Sequence, residues 1–364
     1  MERVLCAGVG LTALLLAGMA VFASVQPSPY GDAETYLRQA NREGFRRAAK
    51  VSPMSAAPWM GLGLLEEQEG NSTQAEADLT RALALDRGYL PRWTLANLYL
   101  RHEDLKAWPL LAEALRIALH GGQPTAALFE MCWNFRPDAE FLRREVVGSA
   151  PEALRSYLAF LLETNRSNAL SAPAMLLAGH AQKADNELLL RVSDRLLSAK
   201  NAADARSIWD RITPPEPSGE LLTNTRFQDV RQLGFDWHYN SIPESRIVFD
   251  SFARFDLTGL QPDPLELVFE TVLLKPGTYV FSWEAKQSPP QAPAGFFWQA
   301  TDSRSGAELF QHAVQSAADW REDRKQFVVA AATLVRFALH TGRTPGYSRF
   351  EGTVWLQHPS LKPQ

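Results

Sequence analysis

The stretch TPPEPSG, residues 213–219, divides the chain into two textures that no single fold accommodates. Its three prolines lack backbone N–H groups and fix φ, so neither a helix nor a central strand runs through it. Before it, from Asp32 to about Ile212, helical patterns rich in Ala and Leu follow one another with short polar breaks. After it come short runs rich in Val, Phe, Thr and Trp: LELVFETVLL, GTYVFSWEAK, KQFVVA, TLVRFALHT and FEGTVWLQH. Pro, Gly and Ser turns separate them, and they read as strands at sandwich spacing. The expected architecture is multidomain α plus β, with residues 28–212 all-α, 213–219 a linker and 220–364 an antiparallel sandwich. A chain of 364 residues, 46% hydrophobic and 21% charged, is large enough for two cores.

The N-terminus carries the localisation signal. VLCAGVGLTALLLAGMAVFASV runs from Val4 to Val25 without a charge, after Met1, Glu2 and Arg3, and is long enough to span a bilayer. Arg3 favours a cytoplasmic N-terminus, which places the remainder across the membrane. Residues 1–27 are therefore expected to be an inner-membrane anchor with the soluble parts in the periplasm. The alternative is a signal peptide cut before Ser24, after the small residues Val21 and Ala23, with secretion of the rest. A net charge of −4 and a pI near 6.0 give no basic field for nucleic acid. Two cysteines make no disulfide framework and no zinc spacing, and Cys132 beside Trp133 reads as a small buried hydrophobe.

Within the helical half, APWMGLGLLEEQEGNSTQAEADLTRALAL, residues 57–85, sets out a hairpin. Trp59, Leu62 and Gly63 share one face of a first helix, Ala75, Leu79 and Ala82 share one face of a second, and EGNS turns between them. These residues stand where the tetratricopeptide repeat has its Trp, Leu-Gly, Ala, Leu and Ala, so the stretch resembles that family. Trp93 follows Trp59 at the 34-residue period of the family. The next repeat has Asn97 in place of the glycine, and its second helix fits the pattern if its turn is shortened. Phe45, Ala48 and Pro53 suit the end of a preceding repeat, and two further hairpins are expected over 152–179 and 186–212. The resemblance implies an α-solenoid whose named residues pack the core and whose concave face holds a protein partner.

The sandwich half resembles the jelly-roll carbohydrate-binding modules of bacterial polysaccharide enzymes. Leu221, Asn224 and Phe227 suit that family's opening strand, FDWHY supplies the Trp that follows, and Pro276, Gly277, Tyr279 and Ser282 suit its long central strand. Trp320, Phe327 and Val329 suit the end. Thr225, Arg226 and Gln228 replace the family's opening Gly-Asp and Glu, and the last strand lacks its aspartate, which puts the family's calcium in doubt. Sugar recognition needs aromatic faces outside the core. Loop positions are the candidates, namely Trp237, Tyr239, Trp298 and Tyr347, whereas aromatics within strands, Tyr279 and Trp283 among them, are expected to be core.

No GxSxG, HExxH, Walker or EF-hand pattern is present in the sequence. His238 beside Asp236 reads as a polar residue at a strand end, and Glu266 and Glu270 as solvated positions on one strand face, too far apart for a glycosidase pair. No cofactor or metal is expected, nor an enzyme. The layout is similar to that of membrane-anchored repeat proteins associated with bacterial exopolysaccharide or O-antigen production. That resemblance implies a non-catalytic scaffold with a protein on the solenoid and glycan on the sandwich; the alternative is a purely protein-binding assembly factor with a sugar-blind sandwich.

Overall fold

The computed structural model describes residues 31–213, 219–290, 295–343 and 346–364. The chain divides into two compact units, residues 1–153 and 154–364. The apolar run Val4–Val25 and most of the Pro-rich stretch lie outside the described residues; among those described, no helix is long and apolar enough to cross a membrane.

The first unit holds α1 (Gly31–Arg38), α2 (Arg42–Val51), α3 (Ala56–Gln68), α4 (Ser72–Leu85), α5 (Tyr89–Arg101), α6 (Ala107–His120), α7 (Ala126–Phe135) and α8 (Ala139–Leu142), the last running into a π-turn, Arg143–Val147. Helix α2 starts where the Asn41 side chain accepts a hydrogen bond from the Gly44 N–H at 2.8 Å, which satisfies one of the free donors of a helix start. Successive helices pair as hairpins. Ala75, Leu79 and Ala82 are fully buried, and Leu62 and Trp93 nearly so. The repeat is visible in its surface pairing too: Arg101 Nε and Nη2 donate to the two Glu67 oxygens at 2.5 and 2.6 Å, across one repeat period. The second hairpin does not shorten its turn as expected. It uses residues 102–106, with the Lys106 N–H donating to Asp104 at 2.9 Å, and Asn97 is buried with its amide on the Trp93 carbonyl at 3.0 Å.

Two glycines let α3 sit between its neighbours. A Cβ on Gly63 would lie 2.6 Å from Leu79 Cγ and 3.2 Å from the Ala75 carbonyl oxygen, and one on Gly61 would lie 2.5 Å from the Phe45 ring. Gly61→Ala gains about 1 kcal/mol of helix propensity, but the Phe45 ring is buried, and overpacking costs about 1–3 kcal/mol. The clash wins, so the variant should unfold at lower urea; an unchanged or raised midpoint would show that α2 and α3 move apart freely.

The second unit begins inside α9 (Pro151–Glu163) and continues through α10 (Ser171–Ala178), α11 (Asn186–Ser198) and α12 (Ala202–Ile212). These helices fall in the two segments expected as hairpins, and α11 and α12 pack against each other. Ser193 Oγ donates to the Ala205 carbonyl at 3.0 Å and ties α11 to α12.

Ten strands follow: β1 (His238–Tyr239), β2 (Ser245–Phe249), β3 (Ala253–Thr258), β4 (Leu265–Leu274), β5 (Gly277–Ser288), β6 (Phe296–Asp302), β7 (Glu308–Ala313), β8 (Arg321–Val329), β9 (Thr333–Thr341) and β10 (Glu351–Pro363). They form two antiparallel sheets in the orders β1-β4-β9-β6-β7 and β2-β3-β10-β5-β8. The eight strands β3 to β10 pass from one sheet to the other at every step except β6 to β7, which pair in one sheet, and this is the jelly-roll order; β1 and β2 extend one edge of each. The inward faces supply an aromatic core in which Phe281 and Trp283 from β5 meet Trp298, Phe310, Phe327 and Phe337. The start of the domain is fastened to its end, since Glu220 accepts from the Leu221 N–H at 3.0 Å and from Ser360 Oγ at 2.6 Å.

The loop from residue 224 to 236 packs under α12. Phe235 meets the Trp209 ring edge-on with centroids 5.8 Å apart, and the Gly234 N–H donates to Asp194 at 3.1 Å. Gly234 has φ +58, and a Cβ there would lie 2.8 Å from the Trp209 ring, so both its conformation and its space call for glycine.

Candidate functional site

A groove of about 1110 Å³ in the first unit opens between α2 and α4, the second helices of successive hairpins, with α3 as its floor. Trp59, Leu62 and Glu66 form the floor; Arg46 and Lys50 stand on the α2 side and Asp78 and Arg81 on the α4 side. Helical spacing produces this, because residues three or four apart share a face. Glu66 is nearly buried and held by Arg42 and by the Asn71 amide at 2.9 Å, contacts that keep its carboxyl below the ordinary value. Burial pushes the Asp78 carboxyl the other way, towards neutrality, against a 3.2 Å hydrogen bond from Gln74. The guanidinium of Arg81 lies 4.0 Å from the centroid of the Trp59 ring. Arg46, Lys50 and Arg81 enter no salt bridge among the described residues, which leaves the groove with unpaired positive charge above an indole. Trp59 thus has a second part besides its place in the repeat pattern.

On the sandwich, the structure separates the four aromatic candidates. Trp237 and Trp298 are completely buried, which corrects the expectation that they offer a face to sugar. Trp237 donates from Nε1 to the Asn224 carbonyl at 3.2 Å and packs on Phe227, and Trp298 sits edge-on to Phe281 with centroids 4.9 Å apart. The reason is the pleat: β6 starts at Phe296, so Phe296 and Trp298 turn inward and Phe297 outward. Tyr239 is half-buried against Phe249, and Tyr347 is exposed.

Aromatic surface lies elsewhere, on the outer face of the sheet β2-β3-β10-β5-β8. Trp355 projects outward between the inward Val354 and Leu356. The register sets Arg254 of β3 opposite Trp355 and Trp355 opposite Lys286 of β5. Ala285 pairs with Arg321, which brings Trp320 beside Lys286 on the other side. Lys286 Nζ lies 4.8 Å from the Trp320 ring centroid and 5.1 Å from that of Trp355. Polar groups border the row: Arg254 grips Asp256 through two hydrogen bonds of 2.9 and 2.7 Å, Thr353 donates to Asp256 at 2.7 Å, and Gln357 donates to Glu284 at 2.7 Å. The Arg254 bond holds the Asp256 carboxyl below its ordinary value, and the Gln357 bond does the same for Glu284. The alternation in VWLQH marks Trp355 as outward-facing, a signal that lies within a strand rather than in a loop.

A smaller cavity of about 290 Å³ lies between α12 and the 222–236 loop, lined by Arg206, Trp209, Asn224, Arg231 and Asp236 among others. Asp236 accepts from the N–H groups of Arg231 and Trp237 at 2.9 and 2.8 Å, yet burial still raises its pKa. His238 makes no pair with it; the imidazole stacks on Phe269, centroids 4.8 Å apart, and its Nε2 lies 3.2 Å from the Gly234 carbonyl oxygen. Glu266 and Glu270 do not share a face as expected. A bulge between Glu266 and Val268 shifts the register, so Glu266 faces out to Arg336 and Glu270 turns fully inward. Glu270 accepts from the Thr223 N–H at 2.6 Å, its other oxygen has no partner, and burial raises its pKa well above the ordinary value. Among the described residues no group of three or more His, Cys, Asp or Glu side chains is placed to hold a metal ion.

No protein-family model and no curated protein matches the chain. Among solved structures, a CBM4 structure matches at 17% identity over 39% of this chain and 99% of its own, with a TM-score of 0.31. A CBM61 in complex with β-1,4-galactotriose matches at 11% identity over 40% and 100%, TM-score 0.30. YrrB, described as a tetratricopeptide-repeat protein with an unusual peptide-binding site, matches at 18% identity over 49% and 94%, TM-score 0.25. None of these likenesses transfers a function to this chain.

Proposed function

We propose that this protein is a non-catalytic scaffold whose helical hairpins grip an acidic segment of a protein partner and whose sandwich contacts glycan. The observation that carries the reading is the α2–α4 groove, lined by Arg46, Lys50 and Arg81, which enter no salt bridge among the described residues, with Arg81 lying over Trp59. An extended peptide bearing carboxylates answers all of these groups, since arginine and lysine bind carboxylates through charge-assisted hydrogen bonds. The setting that the sequence resemblance implies is bacterial polysaccharide synthesis or export, and the uncharged run Val4–Val25 behind Arg3 reads as an inner-membrane anchor over residues 1–27 with the soluble units in the periplasm.

Fluorescence anisotropy with labelled peptides of matched length tests the groove. Asp/Glu-rich peptides should bind and Lys-rich ones should not, and Arg81→Ala should weaken the acidic peptides by about tenfold, near the upper end for a cation lost at a partly exposed site. Binding indifferent to peptide charge and to Arg81 would sink the proposal. The alternative, a sugar-blind sandwich, draws support from the burial of Trp237 and Trp298, which removes the expected loop platform.

A further inference from the structure

The outer row on the sheet β2-β3-β10-β5-β8 is built for a polymer of a particular charge. Its members come from four neighbouring strand positions in the order Arg254, Trp355, Lys286, Trp320. Adjacent strands lie about 4.8 Å apart, so the two indoles stand about 10 Å from one another with the lysine between them. A polysaccharide laid across the strands meets an indole, a cation, an indole and a second cation in turn. The indoles offer faces to the apolar C–H sides of pyranose rings, and the ammonium falls opposite the sugar between them.

The lysine is available for that role. Lys286 enters no salt bridge among the described residues and is held only by the two rings. The nearby acids are engaged within the sheet, Asp256 by Arg254 and Thr353, and Glu284 by Gln357 and His358. Arg246, Arg324 and Lys362 project from the same face, paired in register with the outward Asp256, Ser282 and Val280, and Glu322 on β8 and Glu351 at the start of β10 are the acids that oppose them. An unpaired cation set between two indoles on a chain of net charge −4 is a local construction rather than a consequence of composition. A neutral glycan leaves Lys286 without an anion, whereas a uronic acid at the middle position supplies a carboxylate to it.

We infer that the outer face of this sheet binds a carboxylated, uronate-containing polysaccharide, with Trp320 and Trp355 stacking on its sugars and Lys286 pairing with a carboxylate between them. The inference rests on the glycan half of the proposed function and names the class of glycan.

Affinity electrophoresis of the full chain through gels containing alginate, or alginate whose carboxyls have been reduced to hydroxymethyl groups, tests it. Alginate should retard the protein and the reduced polymer should do so at least about tenfold less. Lys286→Met, which keeps the length and packing of the side chain without its charge, should weaken alginate binding about tenfold, one exposed charge-assisted contact to a stacked sugar. Trp355→Ala should weaken it as much or more and should do so at high salt as well, since stacking is not screened. Circular dichroism of each variant establishes that the sandwich is intact. Equal binding of the reduced polymer, with no effect of Lys286→Met, overturns the charge assignment and leaves the glycan reading in place. Retention of neither polymer overturns both. Alginate binding that survives Trp355→Ala and vanishes in salt is general polyanion attraction and overturns the assigned row.

Discussion

Trp298→Ala is expected to remove about 3–5 kcal/mol from the stability of the second unit, the cost of deleting a fully buried large aromatic from a core that does not collapse around the hole. The ring is surrounded: Phe281 is edge-on at 4.9 Å, and the indoles of Trp283 and Trp237 lie at 6.0 and 6.3 Å. Each is itself buried and in contact with further rings, so none has an easy path into the void. One term works the other way. Trp298 Nε1 is buried with no acceptor, and its removal relieves the desolvation of an unpaired donor, roughly 1–3 kcal/mol. The packing loss is the larger, because the whole ring contributes to it and the N–H is one atom. Tyr347→Ala, at a site 47% exposed, should stay within about 0.5 kcal/mol. Urea unfolding followed by intrinsic fluorescence separates the two, and a shift below about 1 kcal/mol for Trp298→Ala would show that the core repacks. Loss of any sugar response in that variant reports unfolding, so the row of Trp320 and Trp355 is where substitutions bear on binding.

The contrast shows what a strand sequence discloses. The boundary between helical and strand textures, the hairpin at 57–85 and the strand segments were legible, because periods of 3.6 and 2 and the turn residues are local properties. The same period-2 rule, counted from the first residue of each strand, sends Trp298 inward behind Gly295 and sends Trp355 outward between Val354 and Leu356. Nearness to a turn was a poorer guide than parity. Glu270 was beyond reach, since the bulge that reverses its face arises from pairing with β9 and leaves no mark in LELVFETVLL. The groove over Trp59 was half legible: the indole's position followed from the repeat, but Arg81 above it depends on how closely α3 and α4 approach, and Gly63 sets that approach through contacts with Leu79 and the Ala75 carbonyl.

Glu270→Gln is expected to stabilise the second unit at neutral and alkaline pH and to flatten its pH dependence. The native carboxyl is fully buried, one oxygen takes the Thr223 N–H and the other has no partner, and the raised pKa follows from burial first, with the neighbouring charges of Asp236 and Glu220 acting in the same direction. The sign follows from proton uptake. In the unfolded chain the group ionises near the ordinary carboxyl value of 4.5, while in the folded chain it holds its proton to higher pH. Its contribution is therefore fully present below the unfolded pKa and is lost as pH rises from there through the folded value, at up to about 1.4 kcal/mol per pH unit. Asp236, also raised by burial, adds a loss of the same sign. Asp185, Asp256, Glu284 and Asp302 have depressed values, so their contributions are lost only as pH falls through the acid range, and the two sets occupy different windows. Glutamine reproduces the protonated form: its carbonyl oxygen still accepts from Thr223, and its amide stands where the partnerless oxygen was. Urea midpoints of the parent protein should fall between about pH 5 and about pH 8, and those of the variant should fall less and lie higher at the upper end. Parallel curves for the two proteins would mean that Glu270 is ionised in the fold and that an unseen partner neutralises it.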